Sequence, residues 1–149
     1  MGDYVKKLLL AFGLLGTLVL MLGGCAGITA AGDKQISLGQ EFNLPVGQSV
    51  TIQGENLVIK FESVIADSRC PRGAQCIWAG EAIATLIVTQ SGYDSATLVV
   101  QTPVLSEPPA NLVSYRSYQF TLNSLEPRPV TADLIPIDLY RATVLVERR

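Results

Sequence analysis

Apolar and polar residues alternate with period two through most of the chain after residue 40. Phe42 and Leu44 alternate with Glu41 and Asn43, and Val50 and Ile52 with Ser49, Thr51 and Gln53. Leu57, Ile59 and Phe61 follow the same rule around Lys60 and Glu62. The runs Ala82 to Gln90 and Ala96 to Thr102 are joined by Ser91-Gly92-Tyr93-Asp94-Ser95, a hairpin-type turn. Tyr118, Phe120 and Leu122, then Tyr140, Ala142, Val144 and Val146, close the series. A period of two puts every second side chain on one face, so these segments predict about seven half-buried strands. No window outside the N-terminus carries a helical stripe. Strands without helices bury their apolar faces on each other, which predicts an all-β antiparallel sandwich of immunoglobulin-like type. Prolines at 103, 108 and 109, and again at 127, 129 and 136, interrupt the pattern. Proline lacks the N–H that a central strand donates, so both stretches read as connections or edges, long enough to cross between sheets.

The N-terminus breaks the alternation in a different way. Lys6 and Lys7 precede Leu8 to Leu22, fifteen residues without a charge. A transmembrane helix needs about 20 apolar residues, so residues 1–24 read as a secretory signal rather than a span. The stretch ends in Leu22-Gly23-Gly24-Cys25, which resembles the bacterial lipobox: an aliphatic residue, two small residues, then cysteine. The resemblance implies cleavage before Cys25, a thioether-linked diacylglycerol on its sulfur, and acylation of the new amino group. Two or more acyl chains give stable anchoring, so the membrane is an expected partner through Cys25. Ala26 at the next position resembles an outer-membrane address in a Gram-negative cell. Residues 25–39 are small and polar and are expected to form a flexible tether, with the sandwich domain over 40–149.

Cleavage at Cys25 would leave 125 residues, with nine Lys and Arg against twelve Asp and Glu, a net charge of −3. A chain of that size buries roughly two thirds of its unfolded surface, enough for one core. It has no basic stripe for nucleic acid. It also has no histidine, and both methionines precede Cys25. His-based catalysis and most zinc and copper sites are therefore excluded, and no cofactor is expected. A Ser nucleophile would need a Lys base, and Lys34 and Lys60 are poorly placed for it. Asp67 and Glu81 read as structural carboxylates, and their spacing matches no calcium loop.

The remaining chemistry is concentrated in residues 67–80, Asp-Ser-Arg-Cys-Pro-Arg-Gly-Ala-Gln-Cys-Ile-Trp-Ala-Gly. Export permits disulfides, and with Cys25 lipidated, Cys70 and Cys76 have only each other. Trp78 is expected to pack over that bridge or cap the core edge; the alternative is an exposed anchor for a partner. Arg69 and Arg72 are expected to pair locally with Asp67 and Glu81; the alternative is a fork onto a partner's carboxylates or phosphates. The pattern Asp67-Ser68-Arg69-Cys70-Pro71, Cys76, Trp78, Gly80, followed by an alternating strand, resembles the motif of an uncharacterised family of small bacterial secreted proteins and lipoproteins. Leu44 to Val50 and Phe120 to Pro129 resemble that family's earlier and later strands. The resemblance implies a β-rich secreted domain and brings no activity with it. Sequence thus points to a lipid-anchored, non-enzymatic envelope protein that binds another protein or envelope component through Arg69, Arg72 and Trp78. A proteinase inhibitor acting through the Arg69/Arg72 loop is the alternative.

Overall fold

The computed structural model describes residues 34–102, 109–131 and 133–149. Nine strands form in these residues: β1 (Lys34–Ile36), β2 (Phe42–Pro45), β3 (Ser49–Ile52), β4 (Leu57–Asp67), β5 (Ala82–Gln90), β6 (Ala96–Gln101), β7 (Leu112–Tyr115), β8 (Tyr118–Glu126) and β9 (Arg141–Arg148). One sheet has the order β1-β3-β4-β5-β6 and the other β2-β9-β8-β7. Every pairing is antiparallel except β1 with β3. The architecture is the all-β sandwich that the alternation predicts. Within it the chain runs as two meanders, β3 to β6 and β7 to β9, and crosses between the sheets from β1 to β2, from β2 to β3 and from β6 to β7.

The core follows directly from the alternation. Leu57, Ile59 and Phe61 of β4, Ala82, Ala84, Leu86 and Val88 of β5, and Val100 of β6 are buried from one sheet. Phe42 and Leu44 of β2, Phe120, Leu122 and Leu125 of β8, and Ala142, Val144 and Val146 of β9 meet them from the other. Large side chains such as Phe61 and Phe120 and small ones such as Ala84 and Ala142 are all buried in this one cluster, the mixture of sizes that lets two inner faces interdigitate.

Two strands escape the period-two count. β1 lies in the stretch expected to be tether. Ile36 is buried, its carbonyl accepts from Gln53 N–H (2.9 Å), and Gly39 N–H donates to Val146 O (2.8 Å). The sandwich therefore takes in residues 34–39 as well. Three residues with one inward side chain give no readable period. β7 is missed for the same reason: its four residues are only partly buried at a sheet edge. The first proline-rich stretch lies between β6 and β7, which belong to different sheets, whereas the second joins β8 to its own neighbour β9.

Each end of the sandwich carries a carboxylate, an arginine and a tyrosine that tie the two sheets. At one end Glu55, in the β3–β4 turn, accepts from Tyr118 Oη (2.6 Å) and Arg148 Nη2 (2.6 Å) on the opposite sheet. The other end is built on Asp67 and holds the cysteine loop.

Candidate functional site

β4 and β5 form the longest pairing of the fold, ending at Asp67 opposite Ala82. Two register shifts, between Phe61 and Ser63 and between Val64 and Ala66, twist the end of β4 away from the core. The loop 68–81 grows from that end, and its root continues the ladder. Ser68 N–H donates to Glu81 O (2.8 Å), and Cys70 N–H donates to Ala79 O (2.9 Å). Glu81 N–H returns a bond to Ser68 Oγ (3.2 Å). Gly80 makes the crossing possible. Its φ is +66°, and a Cβ there would lie 1.9 Å from Ser68 O, so only glycine fits.

Further out, Cys70 and Cys76 form a disulfide, with Cα atoms 6.0 Å apart. The second loop, 127–140, packs against the first. Arg72 N–H donates to Pro129 O (2.8 Å), and Arg128 Nε donates to Cys70 O (3.4 Å). A cleft of about 230 Å³ lies between the two loops, with Asp67, Arg69 and Pro71 on one side and Pro129, Leu134 and Tyr140 on the other.

Arg69 is the joint between these parts. Its Nε and Nη2 clamp the two oxygens of Asp67 (2.9 and 2.7 Å), its Nη2 also donates to Pro127 O (2.9 Å), and its Nη1 donates to Leu125 O. Tyr140 Oη donates to Asp67 Oδ2 (2.9 Å). One guanidinium thus connects the end of β4 to the end of β8, and the phenol brings in the start of β9. Burial pushes the Asp67 carboxyl up, but the hydrogen bonds from Arg69 and Tyr140 outweigh it and hold the group below the ordinary carboxylate range. Burial pulls Arg69 down, and the Asp67 hydrogen bond and charge more than restore it. Tyr140 is pushed up to about 12, first by burial and then by its bond to the Asp67 carboxylate.

The predicted residues separate into two groups. Arg69 pairs with Asp67 as expected and is consumed by the fold, with 10% of its side chain exposed; it is not a free contact for a partner. Arg72 is two-thirds exposed and faces Glu126, the last residue of β8, at 3.9 Å, not Asp67 or Glu81. Trp78 does not pack over the disulfide: it is 82% exposed, and Ile77 beside it is 93% exposed. Residues 77 and 78 lie in a bend rather than a strand, so the rule that alternate residues share a side does not reach from Cys76 to Trp78. Cys25 lies outside the described residues. The sequence reading missed Tyr140, which looked like one more apolar strand position, and Leu134, which is 95% exposed on the second loop. Among the described residues no three His, Cys, Asp or Glu side chains converge as metal ligands would. Comparison with protein families, with curated proteins and with solved structures found no match to the chain.

Proposed function

We propose that this chain is a lipid-anchored protein of the bacterial cell envelope that acts without catalysis, as a binding module whose contact element is the disulfide-braced loop 67–80. One observation carries the reading. Within the motif, Asp67, Ser68, Arg69, Cys70, Cys76 and Gly80 each have a task inside the domain, while Trp78 stands in solvent on a loop those residues hold in shape. Large apolar side chains fixed in advance lose little freedom on binding and are favoured as anchors. Lipid on Cys25 supplies the location, in the outer membrane if the cell is Gram-negative, and an envelope component is the partner. The inhibitor alternative keeps only Arg72, because the Arg69 guanidinium is engaged by Asp67 and two backbone carbonyls.

Two measurements on protein taken from membranes of the native cell test the proposal. Intact mass is expected to show a chain beginning at Cys25 and carrying acyl groups. A photo-cross-linking residue placed at Ile77 is expected to form adducts with an envelope component, and the same residue at Val99, an exposed position on β6, is not. An unmodified Cys25, or equal labelling from both positions, would reject the reading.

A further inference from the structure

The large apolar side chains exposed in the described residues are not spread evenly. Of nine, six lie on the two loops at the cysteine end: Ile77 and Trp78 on one, Val130, Leu134, Ile137 and Leu139 on the other. The contacts Arg72 to Pro129 and Arg128 to Cys70 make these loops a single rim. A protein surface rarely concentrates apolar groups this way without a site of interaction.

Strand direction and chain length say what lies opposite. β1 runs parallel to β3, and β3 runs antiparallel to β4, whose last residue opens the cysteine loop. The N-terminal end of β1 therefore faces the cysteine end. Lys34 is level with Val50, Ile59 and Val88 across neighbouring strands. Ala82, at the loop root, is six residues from Val88 along β5, or about 20 Å at the strand rise. Cys25 precedes Lys34 by nine residues, a covalent reach of at most about 30 Å. A lipid on Cys25 thus keeps Lys34 within about 30 Å of the headgroups, and the rim lies in the direction from which β1 enters the sheet. The loop root lies within that reach.

We infer that the envelope component contacted by the braced loop is the bilayer surface itself: Ile77 and Trp78, with Val130, Leu134, Ile137 and Leu139 of the second loop, enter the headgroup region and hold the domain with its cysteine end down. This rests on the anchoring of Cys25 proposed above. An indole, apolar with one N–H donor, suits the interface between headgroups and acyl chains. The charges on the rim are mixed, with Arg72 facing Glu126 and Asp133 on the second loop. The contact is therefore apolar rather than Coulombic and is insensitive to salt.

Trp78 is the only tryptophan of the chain, so tryptophan emission reports this site alone. The acylated chain, purified from a lipoprotein-processing host, is placed in vesicles of phosphatidylethanolamine and phosphatidylglycerol. Emission is expected to shift to the blue, to lose quenching by aqueous iodide and to gain quenching by bromine-labelled phospholipid, at low and high salt alike. Leu134→Glu, on the other loop, is expected to reverse the shift while the protein still floats with the vesicles. Vesicle flotation with Trp78 still open to iodide would overturn the inference and leave the anchor standing. A mass without acyl chains would overturn both. Protection of Trp78 that appears only when envelope proteins are added would assign the loop to a protein and overturn the inference.

Discussion

Four hydrogen bonds leave the Arg69 guanidinium, two to the carboxylate of Asp67 and two to the carbonyls of Leu125 and Pro127. Arg69→Ala would leave a carboxylate with 10% exposure and two carbonyls without their donor. Removing one partner of such a pair is expected to cost about 3 kcal/mol, read as a fall in the urea midpoint. Arg69→Lys restores the charge but not the planar fork, so it should recover less than half of that loss. Gly80 is the second residue without a substitute. Gly80→Ala sets a methyl 1.9 Å from Ser68 O with φ in the left-handed region. The loop root must then open, at about 2 kcal/mol or more by thermal denaturation. The opposite expectation holds for Trp78→Ser. That side chain is 82% exposed, and the change should leave stability within about 0.5 kcal/mol. A large loss there would mean that Trp78 supports the fold and is no contact residue.

The cysteine loop is held at its root by the β4–β5 ladder and Arg69, and at its tip by the disulfide. Losing the bridge should therefore affect the tip first. The double variant Cys70→Ser, Cys76→Ser is expected to lose about 2 kcal/mol, as the entropy of so short a loop implies. Its far-UV circular dichroism should be kept, while amide exchange quickens over residues 70–79 alone. Global loss of strand signal would show that the loop helps to hold the sheets. What could be foreseen of these elements follows their physics. β4, β5, β8 and β9 are long enough to show a period, and the bridge joins the two cysteines that lie among the described residues. Asp67 with Arg69 is a pairing across two residues, readable from the sequence. Tyr140 is not, because its carboxylate partner lies 73 residues away, and no local pattern distinguishes a tyrosine that packs from one that also donates. The exposure of Trp78 was hidden for the converse reason: the chain bends at Ile77 and Trp78, where strand periodicity no longer applies.

Across the whole molecule the carboxylate and the phenol of each carboxylate–arginine–tyrosine tie respond to pH in opposite directions. Glu55 is held low by its bond from Tyr118 and then by Arg148, and Asp67 is held low by Arg69 and Tyr140 against burial. An acid with a folded pKa below its unfolded one stabilises the fold above the unfolded value, near 4, and loses that contribution as pH falls through the folded value. Tyr118 is raised by its bond to Glu55, and Tyr140 is raised to about 12. A raised phenol contributes fully below its unfolded value, near 10, and loses that contribution as pH climbs through the folded one. The chain has no histidine, and Cys70 and Cys76 are bridged, so no side chain among the described residues has an ordinary pKa between about 5 and 9. Stability to urea should therefore be flat across that range, fall below about pH 4 and fall again from about pH 10 to 12. The move of Tyr140 from 10 to about 12 corresponds to about 2 to 3 kcal/mol across the alkaline limb. Tyr140→Phe keeps the ring and removes the titrating group, so it should cost about 1 kcal/mol at neutral pH and flatten that limb. The acid limb should keep its Glu55 part. An alkaline limb as steep in Tyr140→Phe as in the parent would mean that the phenol does not tie the sheets. The rim would then rest on Arg69 and the disulfide alone.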